Sequence, residues 1–230
     1  ATTEIYTLSL HDALPIFDAV KEADLIKGGF NAEYGGRLSA VLNVLSREGN
    51  RNYFQGKTSI SLLSAQTTLE GPFYNGAWLL SARRTYFDYL LPKILPAETA
   101  EKIPPYYFYD LQGHVFSDLN EKDRISVSIY RGIDDLIFDN LGLTADWGNN
   151  TYSLSFRRVF NEKLVGNFLV ASSDFFTNFN LGGDDGLNSE NKILDQTLSG
   201  NLAFFQSSDL EWRAGAQIKQ LDFKYLNTFL

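Results

Sequence analysis

Residues 25–50 read LIKGGFNAEYGGRLSAVLNVLSREGN, two glycine pairs followed at once by a nearly unbroken apolar run. Gly28-Gly29 and Gly35-Gly36 permit positive φ without a Cβ clash, which predicts a compact, tightly turned loop. Ala40, Leu42 and Val44 alternate with Val41, Asn43 and Leu45, so both faces are largely apolar. That pattern predicts a strand buried inside something else rather than one washed by water on one side. The polar run Glu48-Gly49-Asn50-Arg51-Asn52 then breaks the chain. From Tyr53 onward, long alternating segments and polar turns continue to the C-terminus, so the stretch marks a junction between two kinds of organisation.

Composition narrows the classes. The chain has 230 residues and no Cys, which removes disulfide frameworks and thiolate metal sites. Its net charge of −8, with Lys and Arg scattered along the chain, argues against a nucleic-acid partner, because a phosphate backbone would be repelled. No apolar run reaches the roughly 18 residues of a membrane-crossing helix. Barrel strands cross with about 9 to 11 alternating residues and carry a weak hydropathy signal, so periodicity decides.

Taken in order, Phe17 to Ala23 carries apolar residues at helical spacing and is expected to make one or two helical turns before a short strand at Asp24 to Lys27. Beyond the junction the alternation predicts eight strands in four hairpins. They are Phe54 to Leu69, Ala77 to Tyr86, Tyr106 to Asp118, Ile125 to about Asp134, Thr151 to Phe160, Leu164 to Phe179, Leu194 to Phe205 and Leu210 to Tyr225. Tyr107, Tyr109, Leu111 and Val115 oppose Asp110, Gln112 and His114, the clearest two-faced strand in the chain. Long polar connections are expected at Leu90 to Pro105, with a short helix from Ala97 to Lys102, at Ile137 to Asn150 and at Asn180 to Lys192. Tight turns fall between them. Long loops alternating with tight turns, and aromatic residues gathered at strand ends, favour a transmembrane barrel wall over a soluble sandwich, with the long loops outside.

The residues around the junction also carry a family resemblance. Lys27-Gly28-Gly29, Glu33-Tyr34-Gly35-Gly36-Arg37, a hydrophobic strand ending in Arg47-Glu48-Gly49-Asn50, and then LLSARRTYFDYLL at Leu79 to Leu91 resemble the end of the plug and the first barrel strands of TonB-dependent outer-membrane receptors, most closely those of Bacteroidetes. Ala1 to Ile16, ATTEIYTLSLHDALPI, resembles instead the conceptual translation of a sequencing adapter and is expected to be non-native. The expected division is therefore 1–16 artefact, 17–52 C-terminal part of a plug, and 53–230 the N-terminal strands of an incomplete outer-membrane β-barrel. The fold class expected is all-β: a partial antiparallel transmembrane wall, about eight strands of a larger barrel such as the plugged barrels of 22 strands, preceded by the plug end.

The resemblance implies active import of a large or scarce ligand across the bacterial outer membrane. Outer-membrane lipid and lipopolysaccharide are the implied surroundings, an extracellular ligand of unknown identity the implied cargo, and TonB the implied partner of the full-length receptor, although its box is absent from these residues. It implies no enzyme activity and no cofactor. Two other classes compete: a non-transporting outer-membrane barrel or adhesin that binds through its loops, and a secreted β-sandwich carbohydrate-binding module. The plug motif, Lys27, Gly28, Gly29, Glu33, Tyr34, Gly35, Gly36 and Arg37, is the segment implied to move.

Outside the motif, candidate chemistry is thin. Arg83 and Arg84 beside Tyr86 and Phe87 could hold an anionic substrate or a lipopolysaccharide phosphate, since Arg grips such groups bidentately, but pairing with lumen or plug carboxylates is the plainer reading. His114 falls on the polar face of its strand, where a hydrogen-bonding role in a lumen outweighs a catalytic one. His11, the second histidine, lies in the adapter-like segment, so no metal site is expected. Asp134, Asp135 and Asp139, and separately Asp184 and Asp185, lack calcium-loop spacing and read as solvated loop charge.

Overall fold

The computed structural model describes residues 16–29, 41–100, 105–138, 142–182 and 186–229. After a single 3-10 turn at Phe17–Ala19 come β1 (Val20–Ile26) and β2 (Val41–Ser46), which pair antiparallel as a small sheet of their own. The second sheet has nine strands: β3 (Gln55–Ile60), β4 (Ser64–Phe73), β5 (Gly76–Thr85), β6 (Tyr106–Asp118), β7 (Asp123–Phe138), β8 (Leu143–Asn161), β9 (Leu164–Leu181), β10 (Leu187–Phe205) and β11 (Glu211–Phe229). Each strand pairs only with its sequence neighbours, all antiparallel, and β3 and β11 are the two edges. The fold is all-β, and its large open sheet is consistent with part of a barrel. Two short helices, α1 (Phe87–Ile94) and α2 (Ala97–Ala100), lie between β5 and β6.

Nine strands replace the eight expected because Phe54 to Leu69 is a hairpin and not one strand. Ser61 makes the turn: its backbone N–H donates to the Ser64 carbonyl at 2.9 Å, while its Oγ accepts from the N–H groups of Leu63 and Ser64 at 3.3 and 3.1 Å. A serine that bonds its own following backbone offers the chain an alternative to extension. With Leu62 and Leu63 at the tip, the segment keeps its apolar character and hides the turn. The Tyr86 hydroxyl donates to the Ser61 carbonyl and ties the tip to the start of α1.

Two further expectations are corrected. Val20 to Ala23 belong to β1 and not to a helix, leaving only the 3-10 turn before them, because pairing with Val44 to Ser46 satisfies their backbone. The polar segments 137–150 and 180–192 are mostly strand, and the connections they leave, 139–142 and 182–186, are short. Asn, Asp and Gly disfavour strands locally, but a ladder paired on both sides overrides that weak preference. Cross-strand polar bonds assist, as where Asn178 Nδ2 donates to Asp146 at 2.8 Å and Asn191 Nδ2 to Thr177 Oγ1 at 3.1 Å. Only the connection between β5 and β6 is long, so contrasting loop lengths distinguish the two ends of the sheet at that one place.

Candidate functional site

The large sheet has two faces of opposite character, and their exposure is inverted relative to a water-soluble protein. Across β5 to β11, Trp78 opposes Val115, then Val127, Leu154, Val170, Leu198 and Ile218 in one continuous apolar row. From β7 to β11 these side chains are open, Leu154 being 44% exposed, Leu198 53% and Ile218 71%, while Trp78 and Val115 are half-buried. One residue along each strand lies the other face, where Leu79, His114, Ser128, Ser153, Ala171, Thr197 and Lys219 form the parallel row. The buried side chains of the wall are on this polar face and include Thr68, Glu70, Ser81, Asp110, Gln112, His114, Ser126 and Ser128.

The apolar stripe is oblique to the strands. On β5 it comprises Trp78, Leu80 and Ala82; on β9 it runs from Leu164 to Val170, on β10 from Leu198 to Phe204 and on β11 from Trp212 to Ile218. Its centre slides by about five residues, roughly 17 Å, over four to six strand spacings of about 4.8 Å, an inclination of about 30–40°. Trp78, Phe204 and Trp212 lie along its border nearest the tight turns, and Tyr109 and Tyr152 along the opposite border.

The N-terminal unit sits on the polar face and is held mainly by charge and hydrogen bonds. Arg47, just after β2, donates through Nη1 to the Asp18 carbonyl at 2.7 Å and through Nη2 to Glu70 of β4 at 2.7 Å. Asp18 accepts from Lys57 and Gln66, each at 2.7 Å. Gln112 Nε2 reaches Ser46 Oγ at 3.1 Å, and Glu48 accepts from Arg124 at 3.0 Å. Among the described residues, Ile16, Ala19 and Leu79 form a buried apolar cluster in this seat. Ile16 is the only described residue of the adapter-like segment, the rest of which lies outside the described residues.

Higher on the same face a second network surrounds Asp110. Its Oδ2 accepts from Arg83 Nε at 2.8 Å and Nη2 at 2.5 Å, and its Oδ1 accepts from the Tyr130 hydroxyl at 3.0 Å. Gly132, directly across from Asp110, leaves room for the Tyr130 hydroxyl, which a Cβ there would displace. Arg83 also lies over the Phe108 ring at 4.9 Å. At the turn end, Asp118 accepts from Arg124 at 2.6 Å and from Arg51 at 2.8 Å. Burial pushes the Asp118 carboxyl upward, but the two guanidinium groups outweigh it and hold the carboxyl below its ordinary range.

The three candidate residues of the wall do not meet. Arg83 and His114 are on the polar face, His114 with Nδ1 2.8 Å from Ser128 Oγ. Arg84 points to the opposite face, where it pairs with Asp88 of α1 at 3.1 Å and lies over the Tyr107 ring at 5.2 Å. Adjacent strand residues must part in this way. Of the glycine-pair motif, Lys27, Gly28 and Gly29 follow β1 and are exposed, Gly29 with a φ of 64°, whereas Glu33, Tyr34, Gly35, Gly36 and Arg37 lie outside the described residues. Asp18, Arg47, Glu70 and Asp110 were not among the candidate site residues read from the sequence. Asp110 and Glu70 are charged residues in the middle of alternating strands, and an inward charge at such a position is the signal that could have found them.

Among the described residues no group of three His, Cys, Asp or Glu side chains is placed to hold a metal ion, and no helix is long and apolar enough to cross a membrane. No family model, curated protein or solved structure matches this chain.

Proposed function

We propose that this chain is part of a TonB-dependent outer-membrane receptor, with residues 17–52 the end of its plug and the nine-stranded sheet part of its barrel wall, serving import of a large or scarce ligand. The observation that carries the reading is the inverted sheet: its apolar face is exposed, and where one face is buried, over β4 to β8, it is the polar one. In water such a face would be an aggregation surface, far larger than the apolar patches soluble monomers tolerate. Facing lipid, it is what a barrel exterior requires, with lipid-facing and lumen-facing residues alternating along each strand. Membrane strands tilt by about 35–45°, and tilting these strands by the observed inclination would bring the oblique stripe level with a bilayer. The aromatic residues along its borders then take the place of interfacial girdles.

The transport part of the reading rests on the N-terminal unit. A segment seated on a lumen face through ion pairs and hydrogen bonds can be released without exposing a large apolar surface, which suits a plug that moves. The three tryptophans provide a direct test of the wall, because Trp78 and Trp212 are on the apolar face and Trp147, opposite Asp134, is on the polar one. In single-tryptophan variants reconstituted into bilayers with brominated acyl chains, Trp78 and Trp212 are expected to be quenched and Trp147 spared. Equal quenching of all three, or none, would overturn the membrane wall and favour the secreted sandwich class.

A further inference from the structure

At the turn end of the polar face, Arg124 of β7 and Arg157 of β8 stand directly opposite each other in register. Like charges at directly opposed positions destabilise a sheet, so the pairing calls for compensation. Arg124 has it: Nε and Nη2 donate to Asp118 at 2.6 and 3.3 Å, and Nη1 donates to Glu48 at 3.0 Å. Its position is fixed further by stacking, since the guanidinium groups of Arg124 and Arg51 both lie 4.6 Å from the centre of the Phe116 ring. Arg157 has nothing comparable. Among the described residues no acceptor lies within reach of its guanidinium, and its neighbour on the other side is the neutral Asn167.

Both arginines line one cleft, together with the cations Arg51 and Lys122 and the carboxylates Asp118, Glu121 and Asp123. Asp118 is already shared between Arg51 and Arg124, and Asp123 pairs with Arg158. The cleft therefore holds a rigid, neutralised arginine facing one whose donors are all unused. We propose that Arg157, opposite the fixed Arg124, forms the binding element of an oxyanion site, taking a phosphate or carboxylate group bidentately on its guanidinium fork. Arg is suited to this task because its planar donors match two acceptor oxygens and its charge persists at any physiological pH. The site does not depend on what covers the opposite face of the sheet.

The test uses the whole chain in detergent micelles at constant ionic strength, titrated calorimetrically with inorganic phosphate, with acetate, and with chloride as the reference. Phosphate or acetate is expected to bind more tightly than chloride. A clear preference for phosphate identifies a phosphoryl-bearing ligand, and equal binding of the two identifies a carboxylate as sufficient. Arg157→Gln is expected to weaken binding by about tenfold or more, the loss of one charge-assisted contact, with Arg157→Lys intermediate because the fork is gone. Without anion, Arg157→Gln should melt at the same temperature as the parent or higher, since a repulsion is relieved. Binding no tighter than chloride, unchanged binding in Arg157→Gln, or a lower melting temperature for that variant would each overturn the assignment.

Discussion

Arg83 and Asp110 stand directly opposite one another on β5 and β6, with Nε 2.8 Å and Nη2 2.5 Å from the same carboxylate oxygen. The Asp110 side chain is 1% exposed and that of Arg83 19%, so the pair is shielded from water. Removing one partner of a buried pair leaves the other charge uncompensated, at a cost of several kcal/mol. Arg83→Met is therefore expected to destabilise the wall by about 3 kcal/mol, whereas Arg83→Met with Asp110→Asn should recover much of the loss. Denaturant titration of the parent and the two variants in one detergent measures this; equal losses in the single and double variants would show that the charge pairing is not the cause.

Arg47 is the pin of the N-terminal unit, because one guanidinium joins the Asp18 carbonyl to Glu70, whose side chain is 6% exposed. Arg47→Ala leaves Glu70 with the Gln55 amide at 2.7 Å, a neutral donor in place of a charged one. The expected result is a loss of about 2 kcal/mol at this contact and faster proteolysis within 47–54, with the cleavage pattern of β8 to β11 unchanged. Limited proteolysis followed by mass spectrometry separates the two regions. Uniformly faster cleavage throughout would mean that Arg47 supports the whole fold and not the docking.

The sheet was legible in the sequence because its signal is the period-two alternation itself. Tyr106 to Asp118 matches β6 residue for residue, and the face assigned to Tyr109, Leu111 and Val115 is the apolar one found, opposite Asp110, Gln112 and His114. Turn positions were less legible where turn chemistry was carried by one hydroxyl, as at Ser61, or where strands continued through Asp- and Asn-rich sequence, as at 143–150. The long-range polar contacts were least legible. Nothing local pairs Arg47 with Glu70 or Asp18 with Lys57, since these contacts exist only once two separate sheets are brought together.

Asp118 makes stability at the turn end depend on pH. Its folded-state carboxyl lies below the ordinary value of 3.8, so the ionised form is favoured by folding. The contribution is present above the unfolded value and is lost as pH falls through the folded one, as linkage requires. The parent protein should thus lose stability on acidification from just above 3.8 downward, and Asp118→Asn should lose less across that window while being less stable at pH 7. Unfolding free energies at pH 7, 4.5 and 3 in a fixed detergent check the sign; parallel curves for the two proteins would remove Asp118 as a source of the dependence.

Leu202 and Asn201 are neighbours on β10, both exposed, on opposite faces of the sheet. In water a lysine at either position should change stability by no more than about 0.5 kcal/mol, because neither side chain is buried. In a bilayer the two positions differ, since Leu202 lies within the apolar stripe, opposite Gly166 and Ala214, and Asn201 lies on the polar face. Leu202→Lys is then expected to cost about 2–4 kcal/mol, the penalty for a lysine near the bilayer midplane, and Asn201→Lys to be nearly neutral. Reversible urea unfolding from lipid vesicles reads the difference directly. A small, equal effect for both variants would mean that Leu202 does not face lipid, and the exposed apolar stripe would need another cover.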